Sequence, residues 1–329
     1  MSVHASASLG RLAAPSPIIV AGQRAEIRVA TLSASTVRIT VLPVGEDGVR
    51  VPFTGALADE NAGDVRVRAT DAAQLAHVRS GDLVVRYTAA PPTLHIERQG
   101  KSVQRLTLSA DGPGLSFLLG RGPLLGMGEG GPQFDKVGTT DPMINGQGGY
   151  RLATHGTRAP IQWLIGMSAD EPRPWGMFIH QPYGSFDLAG SEGKFTLPVR
   201  RPNAGPASMV NPDPVLSTAL PLDVFVVSAP EPAGIMREYA RITGFAEMPP
   251  LWAFGYQQSH RTLAGPDEIM GVARTFREKK LPCDALIYLG TEFTPSGWNT
   301  PTASSPGTRR TSRIRRGCST RCTTSTSRS

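Results

Sequence analysis

Between residues 17 and 230 apolar and polar side chains alternate in short runs separated by turn residues. Ala25-Glu-Ile-Arg-Val-Ala30, Thr36-Val-Arg-Ile-Thr-Val41 and Leu83-Val-Val-Arg-Tyr87 repeat with a period near two, which places successive side chains on opposite faces of a strand. Leu94-His-Ile-Glu-Arg98 and Gln104-Arg-Leu-Thr-Leu108 read as a hairpin joined through Gln99-Gly100-Lys101. Further strand-like runs are Ile161-Gln-Trp-Leu-Ile165, Trp175-Gly-Met-Phe-Ile-His180, Lys194-Phe-Thr-Leu-Pro-Val199 and Leu222-Asp-Val-Phe-Val-Val227. So many short strands, with almost no helical periodicity between them, predict a large antiparallel β-sandwich.

The period changes after Ser228. A helix is expected from Glu231-Pro232, with Ile235, Tyr239 and Ile242 on one face and Gly244 closing it. Residues 248–256, Met-Pro-Pro-Leu-Trp-Ala-Phe-Gly-Tyr, read as a buried strand. Gly265-Pro266-Asp267 then opens a second helix carrying Ile269, Val272, Ala273 and Phe276, with Lys279-Lys280 at its end. A second buried strand follows over 283–290. Strand, helix and strand in this order form a βαβ unit, so the two strands pair in parallel. The chain therefore divides into a β-sandwich over 1–228, the start of an α/β domain over 229–300, and a tail over 301–329. Two parallel strands by themselves neither close a barrel nor bury both faces of a sheet.

Composition changes this picture at one place. The tail holds seven of the 34 basic residues, no acidic residue and 14 Ser or Thr. Without those seven, 27 basic residues face 27 acidic ones, so the net charge of +7 belongs to the tail and the body is neutral. Of the three cysteines, Cys283 is the one in the body, which excludes a disulfide framework there and fits a reducing, cytoplasmic compartment. Cys318 and Cys322 have no His or further Cys after them and read as incidental rather than as a metal site. The first residues lack a basic start followed by an apolar stretch, and no run of 18 apolar residues occurs. Neither a secretory signal nor a membrane-spanning helix is expected.

Few motifs carry chemistry. Gly126-Met-Gly-Glu-Gly-Gly131 matches G-x-G-x-x-G by letter, but Pro132 and Gly138 deny the helix a dinucleotide site needs. A glycine-rich loop between strands accounts for it better. His155, His180 and His260 read as structural or surface residues, and Trp163 and Trp175 as core. No metal cluster, phosphate loop or Ser-His-Asp spacing stands out, and no cofactor is expected.

The segment after residue 248 is more specific. Pro249-Pro-Leu-Trp-Ala-Phe-Gly-Tyr256-Gln-Gln-Ser-His-Arg261 resembles the first barrel strand of glycoside hydrolase family 31, the α-glucosidase and α-xylosidase family. The Tyr239 to Gly244 helix before it, and Phe276-Arg277, Leu281-Pro282 and Asp284 after it, follow the same order. Gly126-Met-Gly-Glu129 and Ile144-Asn145-Gly-Gln-Gly-Gly-Tyr150 resemble loops of that family's N-terminal sandwich. The resemblance implies a galactose-mutarotase-like β-sandwich followed by a (β/α)8 barrel, here incomplete and represented by its first βαβ unit. It implies hydrolysis or transfer of α-linked sugars with retention and a carbohydrate substrate; no nucleic-acid partner is expected, because the basicity is confined to the tail, and no membrane partner, because no apolar span occurs. Retention uses two carboxyl groups about 5 Å apart. In the family both are Asp at the ends of barrel strands four and six, and no residue of this chain is matched to either role, so no catalytic residue is assigned. Sugar-contacting candidates carried over are Gln258, His260 and Arg261 after strand one, Trp298 as a stacking face, and Gln147 in the sandwich loop. Where the family commonly has Asp-Ile-Asp after strand two, this chain has Leu289-Gly290-Thr291, with Glu292 one place later.

The tail admits three readings: an arginine-rich arm attracted to nucleic-acid phosphate or membrane, a solvated tail, or residues translated out of frame. The genetic code bears on the third. Joining the third base of each codon to the first two of the next, from Pro301 onward, permits His-Gly-Glu-Phe-Thr-Trp-Asn-Pro. After two open positions it permits Phe-Pro-Asp-Pro, and after one more, Arg-Met-Leu-Asp-x-Leu-His. Family 31 enzymes have a phenylalanine, then Phe-Pro-Asp-Pro, then an amphipathic Met-Leu-x-x-Leu helix at this point. The leading expectation is a truncated, inactive family 31-like α-glycosidase with a frameshifted tail. The competing one is a non-catalytic carbohydrate-binding β-sandwich with a basic tail that contacts nucleic acid or membrane.

Overall fold

The structure is a computed structural model that describes residues 16–44, 55–109, 114–130, 133–143, 159–181, 184–197, 221–260 and 266–288. One compact unit runs through Phe245 and a second begins at Ala246. Among the described residues the first unit holds two eight-stranded sheets, both antiparallel throughout, as the alternating runs predict.

The first sheet runs Ile19–Val20, Gln23–Ser33, Thr36–Pro43, Leu222–Ser228, Pro174–Ile179, Trp163–Met167 and Arg121–Gly126 in spatial order, with Asp64–Ala69 also paired to Gln23–Ser33. The second runs Thr140–Asp141, Ser185–Asp187, Glu192–Thr196, Gly114–Leu118, Lys101–Leu108, Pro92–Arg98, Leu83–Ala89 and Val78–Ser80. Alternate residues meet in one core: Ile27, Val29, Ile39, Val41, Val224 and Val226 from the first sheet, with Val85, Leu94, Ile96, Leu106, Phe117 and Phe195 from the second. The expected hairpin turns at Gln99 and Gly100, both at positive φ (52° and 76°), which matches the twist of the strands it joins.

The strand Leu222–Ser228 is buried at every position, which explains its nearly unbroken apolar letters. Leu222, Val224 and Val226 face the other sheet, while Phe225 and Val227 face outward into a second cluster. Helix α1 (Pro232–Thr243) covers that outer face with Ile235 and Ile242, and Tyr239 stacks on Trp163 at 4.5 Å between ring centroids. The change of periodicity at residue 228 therefore marks a third layer on the sandwich, and the compact unit continues to Phe245.

Two buried carboxylates secure this layer. Glu238 of α1 accepts hydrogen bonds from Ser33 Oγ (2.6 Å) and Thr36 Oγ1 (2.7 Å) at the hairpin tip of the first sheet. Asp223, whose side chain is fully buried, accepts from Arg38 Nε (3.0 Å) and Nη2 (2.8 Å), from Thr40 Oγ1 (2.8 Å), and pairs with His180 Nδ1 at 3.0 Å. Arg38 also donates to the carbonyls of Glu60 and Ala62 and lies over the Phe225 ring, at 5.1 Å from its centroid. Burial pushes the Asp223 carboxyl up, but the bonds from His180, Arg38 and Thr40 outweigh it and hold it below the usual carboxylate range.

The second unit contains a strand Gln257–His260, helix α2 (Pro266–Glu278) and a strand Ala285–Tyr288. The strands pair in parallel with Gln257 opposite Ala285 and His260 opposite Tyr288. The expected βαβ unit is present, with Ile269 of α2 buried against Met270, Val272 and Leu286. The buried strand expected over 248–256 is not. That stretch holds a short 3-10 turn, Leu251–Phe254, and Met248, Leu251, Trp252, Phe254 and Tyr256 are all exposed. Pro249 and Pro250 have no N–H to give a sheet ladder, so pairing starts only at Gln257.

Candidate functional site

The glycine-rich loop and the parallel strand pair are the two places where sequence and structure converge on chemistry. Gly126 ends its strand at φ 106°, and a Cβ there would stand 2.3 Å from the Trp163 carbonyl oxygen. Gly128 has φ 78° and would meet the Ala159 oxygen at 2.1 Å. Both glycines are demanded by close backbone approach to residues 159–163, where Met127 N donates to Trp163 O and Glu129 N to Ala159 O. These contacts fit the glycine-rich loop between strands and give a phosphate no cradle. Gly131 and residues 144–150, with Gln147, lie outside the described residues.

In the second unit, Gln257 and Gln258 enter opposite faces of the first parallel strand. Gln257 Nε2 donates to Ala253 O (2.8 Å), which ties the strand start to the preceding turn. Gln258 Oε1 accepts from the Tyr256 hydroxyl (2.6 Å), and its Nε2 donates to Ser259 O (2.9 Å). Tyr256 packs its ring against Phe276 of α2 at 5.9 Å, so the phenol that holds Gln258 is itself located by the helix. The amide is thereby oriented, and its second N–H is the donor it can offer a ligand. His260 follows two residues later on the same strand, paired in the ladder with Tyr288 at the C-terminal ends of the two strands. Barrel enzymes build their sites at that end. Arg261, Leu289 to Glu292 and Trp298 lie outside the described residues, as does the side chain of His260. The structure thus brings Gln258 and His260 onto one strand.

Sequence reasoning missed the Tyr256 to Gln258 bond and the Asp223 cluster. The first follows from two polar-tipped residues two apart in a strand. The second was signalled by one carboxylate inside an apolar run, since a charge there needs a buried partner. His180, read as structural or surface, is the buried partner of Asp223. Among the described residues no group of three His, Cys, Asp or Glu is placed to hold a metal, and no helix is long and apolar enough to cross a membrane.

Residues 246–296, which contain this strand pair and its helix, match the TIM-barrel domain of glycosyl hydrolases family 31. Over this segment the chain is similar to glycoside hydrolase family 31. The α-xylosidase of Saccharolobus solfataricus is 33% identical over 78 residues, which are 24% of this chain and 11% of that protein. Alpha-glucosidase 2 of Bacillus thermoamyloliquefaciens is 36% identical over 72 residues, 22% of this chain and 9% of that protein. The chain thus spans about a tenth of the curated relatives it matches. Similarity of fold extends much further. A Flavobacterium johnsoniae GH31 dextranase complexed with glucose superposes over 90% of this chain and 35% of its own, at a TM-score of 0.63 and 17% identity. A GH31 α-xylosidase from a soil metagenome complexed with xylose does so over 82% and 40%, at 0.55 and 16%. At such identities the sandwich likeness is one of fold.

Proposed function

We propose that this chain is the front part of a retaining α-glycosidase, with a β-sandwich over 1–228 whose covering helix extends the unit to 245, the opening of the catalytic barrel over 246–300, and a tail over 301–329 read out of frame. The observation that carries the reading is the parallel pair Gln257–His260 and Ala285–Tyr288, joined by α2 inside the family 31 match. The intact enzyme hydrolyses or transfers an α-linked sugar through a glycosyl-enzyme intermediate, using two carboxyl groups about 5 Å apart. Gln258, His260 and Arg261 contact the sugar from the first barrel strand, with Gln147 from the sandwich loop and Trp298 as a stacking face. Leu289-Gly290-Thr291, in place of the family's Asp-Ile-Asp, removes one bidentate grip on sugar hydroxyls and shifts preference away from glucose-type recognition.

The 329 residues themselves do not turn over, because no residue in them matches the nucleophile or the acid/base. The test has two arms. Nucleotide sequencing around codon 301 should show a +1 or −1 frame that continues into a barrel with two catalytic Asp. Aryl α-glycoside hydrolysis should be absent from the 329-residue chain and present once the frame is restored. Turnover by the 329-residue chain, or an alternative frame with no barrel, overturns the reading. A salt-sensitive shift on DNA that is lost on deleting 301–329 would favour the basic-arm alternative instead.

A further inference from the structure

Phe134 is the most exposed aromatic ring among the described residues, at 83%. Its loop, however, is fastened by a dense set of hydrogen bonds. Asp135 Oδ1 accepts from the backbone N–H of both Leu124 and Val137, each at 3.0 Å. The Gln133 side-chain amide donates to the carbonyls of Asp135 and Val137, and buried Lys136 donates its Nζ to Gln133 O. Lys136 N donates to Leu124 O and Gly138 N to Leu188 O, both at 2.8 Å, and Thr139 closes on Lys136 O through its hydroxyl at 2.6 Å. Three side chains of the five residues 133–137 are thus spent on fixing backbone, while Phe134 points out and Val137, three residues on, is also exposed.

A loop this well fastened does not need the ring for its own stability, since a residue that buries almost nothing contributes almost nothing to the core. What a fixed, outward aromatic offers is a flat apolar face with negative electrostatic character, at low entropic cost on binding because few torsions remain to be frozen. A pyranose is the ligand that such a face fits: its hydroxyls lie round the ring edge, and its C–H groups make an apolar, slightly positive face. The loop is bonded at both Leu124 N and Leu124 O. Leu124 belongs to the strand Arg121–Gly126, which runs directly into the Gly126-Met-Gly-Glu129 turn that resembles the family's sandwich loop.

We propose that Phe134 is a sugar-stacking platform on the sandwich, taking a ring of an α-linked oligosaccharide. The proposal rests on the glycosidase reading for its ligand class, and on the fastened loop and its exposed ring for its place. It is tested on the full 329-residue chain by calorimetric titration with isomaltotriose, maltotriose and an α-xylosyl oligosaccharide, comparing wild type, Phe134→Ala and Phe134→Trp. Phe134→Ala should bind about tenfold more weakly, Phe134→Trp should bind at least as well as wild type, and all three should unfold at the same denaturant midpoint. If wild type binds and Phe134→Ala binds equally well, the platform is wrong while the sugar reading stands. If wild type binds none of these oligosaccharides, the platform is wrong, while the glycosidase reading is decided separately by aryl α-glycoside turnover in the frame-restored enzyme.

Discussion

Arg38→Ala should be among the most damaging single substitutions in the sandwich, and the structure says by how much. Asp223 is fully buried and holds its charge because the Arg38 fork meets both carboxylate oxygens, at 3.0 and 2.8 Å. Removing the fork leaves that carboxylate with His180 and Thr40 alone. Breaking a buried pair from one side costs about 3–5 kcal/mol, because the remaining charge has no water to return to. The lost bonds to Glu60 O and Ala62 O add at most about 1 kcal/mol each. A loss of about 4–6 kcal/mol is therefore expected, comparable to the whole stability of many domains. Urea unfolding followed by the fluorescence of Trp163 and Trp175, both buried in this unit, measures it. Replacing both partners by apolar residues, as in Arg38→Met with Asp223→Leu, should cost clearly less than the sum of the two single changes. A loss below about 1 kcal/mol for Arg38→Ala at unchanged slope would refute the view that this pair holds a charge in the interior.

Other outcomes follow from the same contacts. The Asp223 carboxyl is held below its ordinary range in the folded protein, so its contribution to stability is present above about pH 4 and is lost as pH falls through the folded value; Asp223→Asn, though less stable at neutral pH, should lose less on acidification than wild type. Gly176→Ala places a Cβ 2.3 Å from Trp163 Cη2 and 2.9 Å from Ile235 Cγ2, which should cost about 1–3 kcal/mol and weaken the near-ultraviolet signal of the Trp163 to Tyr239 stack. Glu238→Gln keeps the shape but replaces a charged acceptor of two hydroxyls, and should loosen α1 by about 1–2 kcal/mol, seen as faster hydrogen exchange over Pro232–Thr243 with the second sheet unchanged. In the frame-restored enzyme, Tyr256→Phe frees the Gln258 amide and should raise KM severalfold for an aryl α-glycoside while leaving kcat nearly unchanged.

The letters of this chain determined its layers wherever one period ruled. Alternation located Gln23–Ser33, Thr36–Pro43, Leu83–Ala89, Pro92–Arg98 and Lys101–Leu108, since a side chain that points inward on one residue must point outward on the next; Asp64–Ala69, Gly114–Leu118 and Arg121–Gly126, with weaker patterns, were not read. The i, i+3, i+4 spacing of Ile235, Tyr239 and Ile242 likewise located α1. The Trp252 and Gly255-Tyr256 pattern located the segment that matches the family 31 TIM-barrel domain. Periodicity could not say what covers a face that is apolar on both sides. Leu222–Ser228 reads as a buried strand in any setting, and only the tertiary structure shows that α1 lies on its outer side. The apolar letters of 248–256 read as a buried strand for the same reason, yet two prolines without N–H groups kept that stretch out of the ladder. Asp223, His180 and Arg38 stand at least 43 positions apart in sequence, and only the sheet register brings them together. Their pairing is a property of strand order, Thr36–Pro43 beside Leu222–Ser228 beside Pro174–Ile179, and strand order is decided by long-range packing that no local pattern encodes.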